Sequence, residues 1–269
     1  AWWAKDLTAA IDAPGIIGDL TVYQPKWNAI HIGGLDGQGH AVNYWWAPGL
    51  TDWQYTDLTA LLNGPTMKGG LASFVAPWGA LNLAGLNTAG EVIVYWWAPG
   101  MTDWQTVNMT AAFAGPTLTG QLSAFVTPWG ALNIIGLDNA GNAAAYWWVP
   151  GASSWMVADL TQASGAAPYA QGVTATMSSD GGINIFGLNS QDHVLMIRFS
   201  LRTNLWSSMD ITTAAGASTV SFPIGASSAA GQMTIGAQSK ASDHNLLLYV
   251  MDLNTELWSW QLGTNTAIV

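Results

Sequence analysis

The segment that decides the fold runs from Tyr95 to Gly141 and reads YWWAPGMTDWQTVNMTAAFAGPTLTGQLSAFVTPWGALNIIGLDNAG. Closely similar text begins at Tyr44, and a looser copy begins at Tyr146, so the repeat period is 51 residues (95 − 44 and 146 − 95). Self-similarity at a fixed period of this length indicates a repeat architecture.

Each repeat divides into four short apolar segments separated by turn signals. In the third repeat the predicted strands are 122–127, 131–137, 142–148 and 155–161, and the turns contain Pro128-Trp129-Gly130, Asp138-Asn139-Ala140-Gly141 and Pro150-Gly151. Short strands at regular spacing without helical periodicity indicate an all-β chain. Four antiparallel strands in a repeat of about 40–50 residues predict a β-propeller blade.

Five full four-stranded blades fit the sequence, within a single predicted domain that spans residues 1–269. Their predicted limits are about 16–59, 67–110, 118–161, 169–212 and 218–262. One extra strand, Trp2 to Thr8, precedes them; it either closes a ring or belongs to a longer protein with more blades. A solenoid is the alternative architecture, although its repeats are shorter and less uniformly antiparallel.

Composition narrows the possible functions. Of 269 residues only 8% are charged, the formal net charge is −10, and six Lys and Arg are too few for a basic groove. Nucleic acid is therefore a poor partner, and no apolar run reaches the roughly 18 residues of a membrane span. Cysteine is absent, which excludes thiolate metal sites and disulfides. The low charge and the 17 Trp favour an extracellular or cell-surface protein.

Aromatic residues recur at three positions of the blade. Because alternate strands run in opposite directions, the first and third turns of each blade lie at the same end. Tryptophans of the first turn and of the pair before the third turn therefore gather there, together with an Asn that begins the second strand. These candidate ligand-binding residues are Trp27, Trp78 and Trp129 in the turn, Trp45, Trp96 and Trp147 in the pair, and Asn82, Asn133 and Asn184.

Comparison of the repeats predicts which tryptophans face solvent. The turn position becomes Asp180 and the first pair position becomes Arg198 in the fourth repeat, so both positions are predicted to be exposed. The second pair position keeps an aromatic residue, Phe199, and is predicted to be buried. A further tryptophan recurs once in every repeat and is interpreted as packing between blades. We call it the ruler tryptophan; its six copies are Trp2, Trp53, Trp104, Trp155, Trp206 and Trp258.

Exposed indoles beside side-chain amides are suited to sugars. The apolar C–H face of a pyranose stacks on an indole, and Asn supplies both a donor and an acceptor for hydroxyl groups. The Asn residues have an alternative role, which is to satisfy backbone groups within the blade. Because the fourth and fifth repeats lose the indoles, two or three working sites are predicted, and repetition would raise a weak affinity.

The run from Pro128 to Asp138, followed by Tyr146-Trp147-Trp148 and Trp155, resembles the blade of bacterial fucose-binding, seven-bladed β-propeller lectins. The shared pattern is a Trp-Gly turn, an apolar strand that ends at Gly and an Asp-containing turn, a Tyr-Trp-Trp strand and a Trp-bearing outer strand. The chain departs from it at Asn133, where the family has Asp, and in its longer repeat. The resemblance implies a propeller fold and carbohydrate binding.

The sequence thus predicts a non-catalytic, lectin-like protein that binds glycans of unspecified class without a cofactor or metal. His31, His40, His193 and His244 show no metal-ligand spacing, and no catalytic ordering of Ser, His and Asp is present. The alternative is a structural or adhesive module of a surface protein or assembly. Its Trp-rich rim would then bind another protein chain or a second copy.

Overall fold

The computed structural model describes residues 4–241, 245–255 and 257–262, and within them the chain folds as five four-stranded antiparallel sheets. In every sheet the strands lie in sequence order, as in a propeller blade. The predicted β-propeller fold is therefore confirmed, and we number the sheets blade 1 to blade 5. Among the described helices none is long and apolar enough to cross a membrane.

The strands occupy the predicted segments of all five repeats. Blades 1 to 3 contain β1 (Ile17–Tyr23), β2 (Ile30–Leu35), β3 (Ala41–Trp46), β4 (Gln54–Asp57), β5 (Met67–Val75), β6 (Leu81–Asn87), β7 (Val92–Trp97), β8 (Gln105–Asn108), β9 (Thr119–Val126), β10 (Leu132–Leu137), β11 (Ala143–Trp148) and β12 (Met156–Asp159). Blades 4 and 5 contain β13 (Gln171–Met177), β14 (Ile183–Leu188), β15 (Val194–Ser200), β16 (Leu205–Asp210), β17 (Val220–Ala229), β18 (Gln232–Ser239), β19 (Leu246–Asp252) and β20 (Leu257–Leu262).

The described residues contain five short helices that were not predicted, and four of them begin where an outer strand was predicted to continue. They are α1 (Leu7–Ile11), α2 (Leu58–Leu62), α3 (Met109–Ala112), α4 (Leu160–Ser164) and α5 (Ile211–Ala215). The predicted strand 155–161 ends at Asp159, because the Asp159 carboxylate accepts a hydrogen bond from the Gln162 amide at 2.9 Å and caps α4. One helical turn is too short to produce a periodic apolar pattern, so these helices were not predicted from the sequence.

The predicted N-terminal strand, Trp2 to Thr8, is described only in part. Trp2 and Trp3 lie outside the described residues. Asp6 caps α1 by accepting a hydrogen bond from the Ala9 amide at 3.1 Å, so Leu7 and Thr8 are helical.

Contacts divide the chain into two compact units, and the prediction of a single domain stays a prediction. Unit 1 comprises 1–126, 130–134 and 148–156, and unit 2 comprises 127–129, 135–147 and 157–269.

Within unit 1 an apolar cluster lies between blades 1 and 2 and includes Tyr23, Leu58, Leu71, Leu83 and Tyr95. Within unit 2 a second cluster joins blades 4 and 5; it includes Phe186, Met196, Ile211, Ile235 and Tyr249.

Candidate functional site: clefts between tryptophan-bearing blades

Strand pairing brings the predicted site positions together at one end of the blade. In blade 1 His31 is directly opposite Trp45, and in blade 2 Asn82 is opposite Trp96. In blade 4 the same positions pair Asn184 with Arg198. The residue near the start of the second strand and the first Trp of the pair therefore lie side by side at the same end of the blade, as the antiparallel order predicts.

The tryptophans of the first turn are exposed, as predicted. Trp27 and Trp129 are each 37% exposed, and Trp78 is 50% exposed. Trp27 lies edge-on to Trp97 with 6.1 Å between ring centroids, and Trp78 lies edge-on to Trp148 at 5.3 Å. Each of these two turn tryptophans is therefore held against the next blade, which fixes its ring while leaving part of its surface open to solvent.

A glycine makes room for this arrangement. Gly79 follows Trp78 in the turn with a φ of 92°, and a Cβ atom there would approach Trp27 Cζ3 to 2.9 Å. Both the left-handed backbone and the close approach of the neighbouring indole require glycine at this position.

The two positions of the Trp pair differ from the sequence prediction. Trp45, Trp96 and Trp147, which were predicted to face solvent, are half-buried. The second members, which were predicted to be buried, are also half-buried, and each indole Nε1–H donates to a carbonyl of the following turn. These bonds run from Trp46 to Leu50 at 3.1 Å, from Trp97 to Met101 at 3.0 Å and from Trp148 to Ala152 at 3.0 Å.

The prediction that the Arg198 position faces solvent was wrong, because this arginine is buried with polar partners. Arg198 is only 4% exposed, and its guanidinium donates to Asn184 Oδ1 at 2.7 Å, to Ser178 Oγ at 3.1 Å and to the carboxylate of Asp180. The ion pair with Asp180 stabilises the buried charge. A charged residue in one repeat therefore did not indicate a solvent-facing position, because its partner changed in the same repeat.

Cleft 1, as we name it, lies between blades 1 and 2 of unit 1 and has a volume of about 380 Å³. Four indoles line it, two from blade 1 and two from blade 2: Trp27, Trp45, Trp97 and Trp104. Its polar lining consists of His31, Asn43, Thr56, Thr102 and Asp103. Ligand sites in proteins commonly have volumes of about 300–1,000 Å³ and a few polar groups in an apolar lining, so cleft 1 has the size and composition of such a site.

The polar floor of cleft 1 is a hydrogen-bonded chain. The Tyr23 hydroxyl donates to Asn43 Oδ1 at 3.0 Å, and Asn43 Nδ2 lies 3.2 Å from His31 Nδ1. The His31 ring stacks between Tyr23, at 4.9 Å, and Trp45, at 6.3 Å. Burial lowers the pKa of His31 to about 4, and the bond to Asn43 opposes this only in part. His31 is therefore neutral at pH 7, with Nδ1 as acceptor and Nε2–H as donor.

Cleft 2 repeats this geometry one period later, between blades 2 and 3 and within unit 1. Trp78, Trp96 and Trp155 line it at positions equivalent to Trp27, Trp45 and Trp104, but its volume is only about 190 Å³. Its floor is less polar, because Asn82, Val94 and Val107 replace His31, Asn43 and Thr56. Cleft 2 therefore keeps the indoles and loses most of the hydrogen-bonding groups.

The three predicted Asn residues fulfil the structural role that was considered as the alternative. Asn82 Nδ2 donates to the Ala80 carbonyl at 3.0 Å, Asn133 Nδ2 donates to the Ala131 carbonyl at 3.2 Å, and Asn184 Nδ2 donates to the Gly182 carbonyl at 3.2 Å. Asn82 also lines cleft 2. The use of Trp129, Asn133 and Trp147 as a further ligand site stays a prediction.

Several residues of the clefts were not among the predicted site residues. Trp104 and Trp155 were interpreted only as packing between blades; Trp104 does pack against the apolar cluster of blades 1 and 2, yet both open into a cleft. His31 and Asn43 occur in one repeat only, so no periodic signal marked them. The available signal was that Tyr23, His31 and Asn43 fall on three successive predicted strands of one blade. Polar groups buried in a blade need hydrogen-bond partners, so these three residues could have been expected to contact one another.

Comparisons with known proteins agree with this fold. No protein-family model and no curated protein matches the sequence. Among solved structures, the chain is similar to the BP39L lectin from Burkholderia pseudomallei, with a TM-score of 0.60 and 13% identity, over 90% of this chain and 68% of that one. It is also similar to AofleA from Arthrobotrys oligospora, with a TM-score of 0.57 and 15% identity, over 90% and 71%.

A third similar structure is the Aleuria aurantia lectin, described as a six-bladed β-propeller with a novel mode of fucose recognition. Its TM-score is 0.54 at 14% identity, over 92% of this chain and 79% of that one. At these identities the similarity shows the fold and no more. The seven-bladed bacterial subtype that the sequence resembled stays a prediction.

Proposed function

We propose that this protein is a non-catalytic, carbohydrate-binding β-propeller whose principal site is cleft 1. The observation that carries the proposal is the arrangement of four indoles around a hydrogen-bonded polar floor in a cleft of about 380 Å³. Indole faces offer the apolar surface that the C–H face of a pyranose needs. The His31 Nε2–H group, the hydroxyls of Thr56 and Thr102, and the Asp103 carboxylate are the groups that would meet sugar hydroxyls.

The indoles are pre-organised, which lowers the cost of binding. Trp27 is held edge-on by Trp97, and Trp45 stacks over His31, which Asn43 orients in turn. Rings fixed by their neighbours lose little rotamer freedom when a ligand arrives. A shallow site of this kind is expected to bind a single sugar weakly, with a dissociation constant of about 1 mM, or about −4 kcal/mol.

The solved neighbours suggest the first ligands to test. SapL1 lectin, a neighbour at 11% identity and a TM-score of 0.60, and the Aleuria aurantia lectin were both solved with α-methyl fucoside. An α-fucoside is therefore the first candidate, and other methyl glycosides are its competitors.

The lining of cleft 1 favours binding over catalysis. Asp103 is the one carboxylate among its described lining residues. Glycoside hydrolysis ordinarily requires a pair of carboxyl groups about 5–10 Å apart on either side of the scissile bond. We therefore infer that a bound glycan leaves the cleft unchanged.

Cleft 2 and the third-repeat residues Trp129, Asn133 and Trp147 are proposed as weaker sites for the same ligand. Cleft 2 has half the volume of cleft 1 and a floor with two valines. Several weak sites on one chain would raise the affinity for a multivalent glycan surface. Such a role suits an extracellular or cell-surface protein, which is the proposed location.

Isothermal titration calorimetry with methyl glycosides tests the principal proposal. The wild-type chain should give saturable heat with one glycoside, and Trp45→Ala should abolish measurable binding because it removes the ring that stacks over the floor of cleft 1. Trp53→Ala is the matched control, because Trp53 is a half-buried tryptophan of blade 1 outside the lining of either cleft. Absence of heat with every glycoside, or equal loss in both variants, would contradict the proposal.

A second candidate function, self-association, rests on a different surface. Leu20 of β1 is 57% exposed, whereas the equivalent residues of the next three blades, Leu71, Leu122 and Val173, are 3%, 5% and 5% exposed. Leu71 is buried in the cluster with Tyr23, Leu35 and Leu58 of the preceding blade. With Ile17 and Val22, each more than half exposed, Leu20 forms an apolar strip on β1.

We propose that a second copy of the chain covers this strip, because the next three blades bury the equivalent residue against apolar neighbours while Leu20 stays exposed. Size-exclusion chromatography with light scattering should then show a dimer at tens of micromolar, and Leu20→Asp should convert it to a monomer. Leu205→Asp, at a 66% exposed position of β16, should leave the dimer intact. A monomeric wild-type chain would contradict this second proposal and leave the sugar-binding proposal standing.

A further inference from the structure

Three ligating side chains meet at the outer edge of blade 1, away from the lining of the clefts. Asp36 lies in the turn after β2, His40 lies just before β3, and Asp57 ends β4. One ligand atom of each lies within 4.8 Å of the others. The sequence spacing did not reveal this group, because strand pairing brings Asp57 back beside a turn that lies 21 and 17 positions earlier in the chain (57 − 36 and 57 − 40).

Two of the three residues already share a proton. His40 Nδ1 lies 2.8 Å from Asp57 Oδ2, and the other carboxylate oxygen, Asp57 Oδ1, accepts from the Ala60 amide at 2.8 Å and so caps α2. The cap fixes the carboxylate, and the hydrogen bond fixes the imidazole ring. His40 and Asp57 are therefore positioned before any ligand arrives.

Asp36 supplies a carboxylate oxygen that the turn does not use. Its side chain is 5% exposed, and Oδ1 accepts from the amides of Gln38, at 2.8 Å, and His40, at 2.9 Å. Its second oxygen, Oδ2, makes no hydrogen bond to any residue that the structure describes. Asp36 Oδ2 is therefore open to a further ligand among the residues that the structure describes.

The repeat supplies an internal comparison. In blade 4 the same positions hold Asn189, His193 and Asp210, and His193 Nδ1 again lies 2.8 Å from Asp210 Oδ2. Asn189 Oδ1 accepts from the amides of Gln191, at 2.9 Å, and His193, at 3.0 Å, just as Asp36 does. The turn therefore forms equally well around an amide, and the negative charge of Asp36 is not required for it.

We propose that Asp36, His40 and Asp57 form a binding site for a divalent first-row transition-metal ion, with Zn²⁺ as the representative. The ion would take the place of the proton between His40 Nδ1 and Asp57 Oδ2, and the spare oxygen of Asp36 would be the third ligand. One imidazole nitrogen and two carboxylate oxygens are ligands that Zn²⁺ accepts, and water would complete the coordination. The displaced Nδ1 proton moves to Nε2 of the neutral ring or, from a doubly protonated ring, to solvent.

Calorimetric titration of the chelator-treated chain with ZnCl₂ tests this site, with MgCl₂ as the ion that imidazole binds poorly. Wild-type protein should bind Zn²⁺ and not Mg²⁺. Asp36→Asn, which installs the blade 4 residue, should weaken the Zn²⁺ affinity at least about tenfold while leaving the melting temperature unchanged. Asn189→Asp should complete the ligand set in blade 4 and add one equivalent of bound Zn²⁺.

Three results would overturn the assignment. They are a wild-type chain that binds no Zn²⁺, an Asp36→Asn variant that binds it as well as wild type, and an Asn189→Asp variant that gains no site. The unchanged melting temperature of Asp36→Asn separates loss of the ligand from loss of the turn, because Asn189 already makes both turn hydrogen bonds.

Discussion

Cleft 1 and cleft 2 are built by successive repeats and differ mainly in their floors. Both are bounded by the turn tryptophan and the first pair tryptophan of one blade and by the ruler tryptophan of the next. Cleft 1 encloses about twice the volume of cleft 2, and His31, Asn43 and Thr56 stand where cleft 2 has Asn82, Val94 and Val107.

The difference separates two roles of the repeat. The turn tryptophan of each cleft lies edge-on to an indole of the next blade, Trp27 to Trp97 and Trp78 to Trp148, so this contact is common to both clefts. The residues of the polar floor are not members of these edge-on pairs, and they differ between the two clefts. The proposed recognition of a hydroxylated ligand would therefore depend on residues that the repeat does not preserve.

The largest expected effect comes from giving cleft 1 the floor of cleft 2. Asn43→Val installs the residue found at Val94 and leaves the buried Tyr23 hydroxyl and His31 Nδ1 without their partner. Each unpaired buried group costs about 1–3 kcal/mol, so the free energy of unfolding should fall by about 3 kcal/mol. Urea denaturation measures it, with Val107→Thr as a control that should change less than about 1 kcal/mol. A loss below 1 kcal/mol for Asn43→Val would refute the hydrogen-bonded floor.

The next effect is a pH dependence that only cleft 1 possesses. Since the pKa of His31 falls from 6.5 to about 4 on folding, the stability due to its neutral ring is present above pH 6.5 and is lost as the pH falls toward 4. Between pH 7 and pH 4.5 the wild type should lose about 2 kcal/mol more than His31→Asn, which carries the residue of cleft 2. Denaturant midpoints at the two pH values measure this difference. Parallel pH profiles would show that His31 is not buried in its neutral form.

Sugar affinity should distinguish the same pair of clefts. Trp104→Ala removes an indole from cleft 1, and Trp155→Ala removes the equivalent indole from cleft 2. Loss of an aromatic contact at the centre of a site typically costs more than about 1.4 kcal/mol, so Trp104→Ala should weaken binding of the best glycoside at least about tenfold. Trp155→Ala should change it less than about twofold. The reverse order in calorimetric titrations would assign the principal site to cleft 2.

The smallest expected effect is the loss of stability on removing the edge-on turn tryptophan, which both clefts have. Trp78→Ala and Trp27→Ala each remove one edge-on pair with the next blade, and such pairs contribute about 0.5–1.5 kcal/mol. Both variants should lose about 1 kcal/mol of stability by urea denaturation and should resemble each other within about 0.5 kcal/mol. A loss above 3 kcal/mol in either variant would mean that the turn tryptophans belong to the core.

Much of the fold could be predicted from the sequence because its signals are local and repeated. Turn chemistry at Asp138 to Gly141 predicts a hairpin, and the structure places Gly141 at a φ of 83° with Asp138 Oδ1 accepting from the amides of Ala140 and Asn142. The missed helices are the exception. A cap such as Asp159 acts over three residues and leaves no periodic trace.

The candidate site could be predicted only in part. A charged residue at a repeat position indicates that the position is exposed only when the neighbouring residues are the same in every repeat. Asp180 and Trp129 do share an exposed position. Arg198 does not follow that rule, because Asp180 and Asn184 form hydrogen bonds with it and allow a charge to be buried where other blades place an indole. The grouping of His31 with Asn43 and Tyr23 depends on strand register, which the sequence alone left open.

The most direct test of the central claim is a two-dimensional NMR titration of the ¹⁵N-labelled protein with the best-binding methyl glycoside, observed at the indole Nε1–H signals. If cleft 1 is the principal site, the signals of Trp27, Trp45 and Trp104 should shift together and saturate at one dissociation constant, while those of Trp53 and Trp206 stay in place. Shifts confined to Trp53 and Trp206, or no shifts at saturating glycoside, would contradict the assignment of cleft 1 as a carbohydrate-binding site.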